Sequence, residues 1–151
     1  MTDPTPIADF RAASAGWHIQ RLSGWIDREM SARLAPLGLT HRDFALLMSV
    51  LETPGQTQAM LAAGFAMPDY AVSRSLNALE AKGLIARVPA SRRAHAILPT
   101  EAAQALLPRL QTQARALNRA LLAPLDDREA ALLRSLMARM LAAKAPGASG
   151  A

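Results

Sequence analysis

Toward the C-terminal end of the chain, Leu107, Leu110, Ala114, Leu117 and Leu121 follow one another at alternating spacings of three and four. Only an α-helix gathers such positions onto one stripe, and the alternation is that of a helix lying lengthwise against others. Little in the chain favours any other local structure. Its 151 residues include 33 Ala and 23 Leu but only 3 Phe, 2 Trp and 1 Tyr. The abundant residues are strong helix formers, while those that suit a pleated surface are scarce. A mainly β architecture is therefore excluded, and a hydrophobic fraction of 51% excludes disorder throughout. The length suits one ordinary domain, residues 1–151.

The same periodicity sets the internal boundaries. Residues 1–6 and 145–151, rich in Pro, Thr, Ala, Gly and Ser, read as flexible ends. A first helical segment over about residues 7–35 carries Ile7, Phe10, Trp17, Leu22, Ile26, Met30 and Leu34, and Pro36 and Gly38 close it. Thr40 and Asp43 form a capping box ahead of Phe44, Leu47, Met48 and Leu51; Thr53-Pro54-Gly55 ends that helix. A short helix over about 57–64 precedes another over about 68–82, in which Val72, Leu76 and Leu79 line one face and Gly83 suits a left-handed end. Two short strands, Leu84–Val88 and Ala94–Leu98, flank a tight turn. Thr100 opens the long helix, where Pro108 is expected to produce a kink, and Asp126 with Glu129 caps the last one.

Charge is unevenly distributed along this framework. The formal net charge is +5, yet residues 1–66 hold five basic and six acidic groups while residues 67–98 hold five basic and two acidic. The positive excess thus falls on a helix and the hairpin after it, the placement needed by an element that reads DNA beside a basic flank. Fifteen of the seventeen basic residues are Arg, suited to bidentate contact with phosphate or guanine, although genomic base composition also enriches Arg. With Val72, Leu76 and Leu79 facing inward, Tyr70, Ser73, Arg74 and Asn77 face outward, and all four can bond phosphates or base edges.

Other chemistries find little support. No zincin, nucleophile-elbow, P-loop or dinucleotide-binding motif occurs, so no catalytic residue is assigned. His18, His41 and His95 lie on different elements and there is no Cys, which removes disulfides, thiolate metal sites and thiol switches; no metal or cofactor is expected. The N-terminus lacks a signal-peptide pattern and no apolar run spans a membrane, so a cytoplasmic location is expected. Trp17, His18 and Trp25, with His41 and Arg42, have the composition of a pocket for a planar carboxylate; Trp17 and Trp25, eight apart, equally suit an oligomer core.

Leu37 to Thr40, then Leu61-Ala62, Val72-Ser73-Arg74, Leu79-Glu80, Gly83-Leu84-Ile85 and Arg87, stand in gap-free order from residue 57 to 87. In this they resemble the MarR (multiple antibiotic resistance regulator) family, and Thr100-Glu101 and Leu125 to Glu129 extend the likeness over about residues 7–142. The resemblance implies a mainly α fold with a small β-hairpin wing: a winged helix-turn-helix over about 37–98, with dimerisation helices over about 7–35 and 100–142. It implies a homodimer on a pseudo-palindromic double-stranded DNA operator, with Ser73 and Arg74 in the major groove and Arg87, Arg92 and Arg93 at or near the wing. Such proteins commonly repress transcription and release DNA on binding a small aromatic or anionic effector. This chain departs from the family pattern at the wing, where Ser91 replaces an Asp that would brace an Arg, and at Ala66, where the turn often has Gly. A winged-helix protein-interaction module that does not bind DNA, and a small-ligand-binding protein, are the alternative readings.

Overall fold

The computed structural model describes residues 7–144; the terminal segments expected to be flexible, 1–6 and 145–151, lie outside the described residues. The helices are α1 (Ile7–Ala12), α2 (Ala15–Leu34), α3 (His41–Glu52), α4 (Gln58–Phe65), α5 (Asp69–Ala81), α6 (Glu101–Leu122) and α7 (Asp127–Ala142). The strands are β1 (Gln56–Thr57), β2 (Ile85–Pro89) and β3 (His95–Pro99). The chain forms two compact units whose boundary, between Arg115 and Ala116, falls within α6.

In the first unit the dry interior is made by Leu46, Leu47 and Val50 of α3, Leu61 of α4, Val72, Leu76 and Leu79 of α5, and Ile85 and Ile97 of the strands. Helix α3 packs on α5 and β3, and α5 in turn on α4 and β2. Met30 and Leu34 bury the C-terminal end of α2, which packs against α3. In the second unit Asp126 accepts the amide of Glu129 at 2.8 Å and the Glu129 carboxylate accepts the Asp126 amide at 3.0 Å, a complete capping box for α7. The corresponding box at α3 has Asp43 N–H to Thr40 Oγ1 at 3.1 Å and Thr40 N–H to Asp43 Oδ2 at 3.0 Å. These two motifs, readable as spacing alone, start their helices where expected.

Three elements differ from the sequence reading. The segment 7–35 is two helices, because Ser14 takes an extended conformation and its hydroxyl accepts the Trp17 amide at 3.2 Å, restarting the helix as an N-cap. The strands lie one residue further along than expected, with Pro89 paired to His95 and Ile85 to Pro99. The hairpin also gains a third strand: β1 pairs antiparallel with β3, matching Gln56 to Ile97 and Thr57 to Ala96, so the sheet order is β1-β3-β2. A two-residue strand leaves no period to read. Gln56 is instead fixed by its amide, which donates to Ser49 O and Thr53 O, both at 3.0 Å, at the end of α3. Pro108 stands inside α6, where the sequence reading expects it.

Thr100 fastens the hairpin to the helices on either side. Its hydroxyl donates to Gly83 O at 2.6 Å and accepts the Ala103 amide at 3.3 Å, while its amide donates to Leu84 O at 3.1 Å. The turn between α4 and α5 has an unusual residue: Ala66 ends α4 at φ +49°, ψ +38°, the left-handed region in which a Cβ is strained. Ala66→Gly is therefore expected to raise the unfolding free energy by about 0.5–1 kcal/mol, the relief of strain exceeding the added chain entropy. A higher urea midpoint at unchanged slope would show this, and a lower one would refute it.

Candidate nucleic-acid interface

The buried stripe of Val72, Leu76 and Leu79, each fully inaccessible, turns the opposite side of α5 to solvent. Tyr70 is 78% exposed, Arg74 and Asn77 are exposed, and Ser73 is half-buried. These residues, at positions i, i+3, i+4 and i+7, form one continuous polar face. The short α4, the turn at 66–68 and α5 form a helix-turn-helix, with the face on its second helix.

The hairpin presents a second basic group. Ala90 and Ser91 amides both donate to Ala94 O, at 2.9 and 3.1 Å, closing the turn. Arg92 and Arg93 stand exposed on it, and neither joins an ion pair with any described residue. Ser91 Oγ accepts the Arg93 amide at 3.4 Å. A neutral hydroxyl thus orders the turn where a carboxylate would have neutralised part of its charge.

Arg87 is engaged differently. From the middle of β2 its Nη2 donates to Asn77 Oδ1 at 2.8 Å, and its Nη1 donates to Glu80 Oε2 in a close ion pair. The guanidinium is therefore committed to α5 rather than held out toward a partner. The sequence reading counts Arg87 among the DNA contacts and names Glu80 only as part of the Leu79-Glu80 motif, without pairing the two. No helical or strand spacing relates residues 80 and 87, since the two lie on different elements either side of the Gly83 turn. Beside this link a cleft of about 310 Å³ is lined by Thr57, Gln58, Asp69, Arg87, Arg93 and His95.

The residues suggested for an effector pocket fall into two groups. Trp17 packs edge-on against His18 with ring centroids 5.2 Å apart, and the Arg21 guanidinium lies 5.5 Å from the Trp17 ring centre. His41 is bonded through Nδ1 to Asp27 Oδ1 at 3.1 Å and stacks on Phe44, while Arg42 is exposed. Trp17 and Asp27 are ten residues apart on α2, about 15 Å along the axis. One chain thus does not gather Trp17, His18, His41 and Arg42 around a single cavity. Among the described residues no three His, Asp or Glu side chains converge as metal ligands, and no helix is long and apolar enough to cross a membrane.

Three packed helices followed by an antiparallel hairpin that rests on the third define a winged helix-turn-helix protein. Comparison with known proteins narrows the class. The model of the MarR family matches residues 37–94. The HTH-type transcriptional repressor Rv2887 of Mycobacterium tuberculosis is 34% identical over 116 residues, which cover 75% of this chain and 83% of that protein. The crystal structure of Rv2887 in complex with DNA superposes with a TM-score of 0.73 at 27% identity, covering 85% of this chain and 98% of that one. Its complex with salicylic acid gives a TM-score of 0.72 at 28% identity, covering 85% and 96%. The chain belongs to the MarR family of transcriptional regulators.

Arg87 joins α5 to β2 by two charge-assisted contacts in a partly exposed setting. Arg87→Met is expected to cost about 1 kcal/mol of stability, and Arg87→Lys to recover part of it. Equal urea midpoints for Arg87→Met and wild type would show that the link contributes nothing to folding.

Proposed function

We propose that this regulator binds duplex DNA as a homodimer on a pseudo-palindromic operator, represses transcription from it, and does so without catalysis. The observation that carries the reading is the pairing of an outward polar face on α5, Tyr70, Ser73, Arg74 and Asn77, with exposed Arg92 and Arg93 on the adjoining hairpin, which form no ion pair among the described residues. Helix α5 has the side chains to bond base edges in the major groove, Arg74 being suited to guanine, and the hairpin has those to hold phosphates or enter a narrow minor groove. The crystallisation of Rv2887 with DNA supports this reading.

Dimerisation is assigned to the helices outside the winged lobe, residues about 7–35 and 100–142. Its support is exposed apolar surface: Ile7, Phe10, Ile19 and Leu22 on α1 and α2, and Leu132, Leu136, Met137 and Leu141 on α7. A cytoplasmic location follows from the DNA-binding role. Release by a small aromatic or anionic compound is part of the proposal, and the salicylic acid complex of Rv2887 supports the ligand class. Among the candidate residues, Trp17 and His18 with Arg21 offer an aromatic face and a cation together.

Mobility shift or fluorescence anisotropy on operator DNA selected from a random pool tests the assignment. Arg74→Ala is expected to bring operator affinity down toward the non-specific level. Arg92→Ala is expected to weaken all duplexes alike and to reduce the slope of log K against log salt by about 1 per lost phosphate contact, hence by about 2 for the dimer. Unchanged operator discrimination in Arg74→Ala would remove it from base reading, and an unaltered slope would remove Arg92 from the interface. No retention of any duplex at low salt would favour a protein-interaction module, and tight ligand binding without any effect on DNA would favour a ligand-binding protein.

A further inference from the structure

We infer that Asn77 reads guanine through its Nδ2 N–H donors, its carbonyl oxygen being engaged and oriented by Arg87; this rests on α5 being the DNA-reading helix. Arginine carries only donors, so the Asn77 amide atom facing its guanidinium is the carbonyl oxygen. The geometry agrees, with Arg87 Nη2 to Asn77 Oδ1 at 2.8 Å. The other guanidinium nitrogen holds Glu80, one turn further along α5, so Asn77, Arg87 and Glu80 form a closed link between helix and strand. The Asn77 amide is thereby fixed in the free protein, before any base arrives.

A free asparagine recognises adenine by accepting from N6 while donating to N7, which requires its oxygen and nitrogen to face the same base edge. Here the oxygen is turned to β2 and already carries a hydrogen bond, while Nδ2, on an exposed residue, has no partner among the described residues. Two N–H groups match the adjacent O6 and N7 acceptors of guanine. Adenine offers N7 beside an N6 donor that opposes them. The guanidinium also draws electron density through the amide, strengthening its N–H groups as donors. Arg87 is thus a positioning residue that acts on the base through Asn77.

Selection from random duplex DNA by the full-length protein and four variants tests this. Asn77→Ala marks the base pair concerned by loss of selectivity there and nowhere else. Wild type is expected to prefer guanine over adenine at that pair by about tenfold, the discrimination of one good base contact. Arg87→Met, which frees the Asn77 amide, should abolish the guanine preference and admit adenine at least equally, while Arg87→Lys, which still donates to Oδ1, retains guanine. Asn77→Asp replaces the donors by an acceptor and should switch the preference to cytosine, whose N4 donates. The inference is overturned if wild type selects adenine at that pair, if Arg87→Met leaves the preference intact, or if Asn77→Ala alters no position while a motif is still enriched. If wild type enriches no sequence at all, the DNA-reading assignment fails instead.

Discussion

The burial of one stripe of α5 sets the rest of the interface. Val72, Leu76 and Leu79 lose all contact with water, and each such aliphatic side chain contributes about 1.5–3 kcal/mol through burial. Rotating the helix by one residue, about 100°, in the direction that replaces this stripe by Ser73, Asn77 and Glu80 would bury polar and charged groups, with a desolvation cost on the polar side as well. The outward face is consequently fixed by forces that act on residues other than those displayed. Helices α3 and α4 supply the surface on which the stripe rests, and Thr100 holds the hairpin at the end of the same helix. A polar reading face is in this sense a by-product of a dry one.

Features governed by local periodicity and end chemistry were legible from the chain alone. The boxes at Thr40–Asp43 and Asp126–Glu129 are local motifs spanning four residues, and their hydrogen bonds form as the spacing requires. The break at Ser14 was harder to read because apolar residues continue on both sides of it, so the stripe masks a cap that depends on one extended backbone conformation. Strand β1 was invisible because its existence depends on β3, forty residues away, and on the amide of Gln56 holding the end of α3. Pairing information of that kind is not carried by the neighbouring residues.

The site shows the same division. Tyr70, Ser73, Arg74 and Asn77 share a face by helical geometry, which the sequence determines once the buried stripe is known. What each side chain is free to do depends on tertiary partners. Arg87 reads as one more cation in a basic region, yet its charge is spent on Glu80 and Asn77 across the Gly83 turn. Arg92 and Arg93, two similar residues a few positions on, have no such partner among the described residues. Counting positive residues therefore does not distinguish a guanidinium engaged within the fold from two that have no ion-pair partner among the described residues.

The Ser91 hydroxyl orders the hairpin turn without adding negative charge, and no Asp or Glu occurs between residues 81 and 100. The field of the hairpin is therefore undiluted by any acid within it, and a polyanion feels it from about a Debye length away, roughly 10 Å at moderate salt. Its effect falls on the approach as well as on the bound state. Attraction that precedes contact raises the frequency of productive encounters and tolerates sliding along the backbone, whichever sequence is met first. Under the proposed function, a serine in place of an acid thus bears on how quickly the protein would search a long duplex, separately from how well α5 would discriminate among its sites.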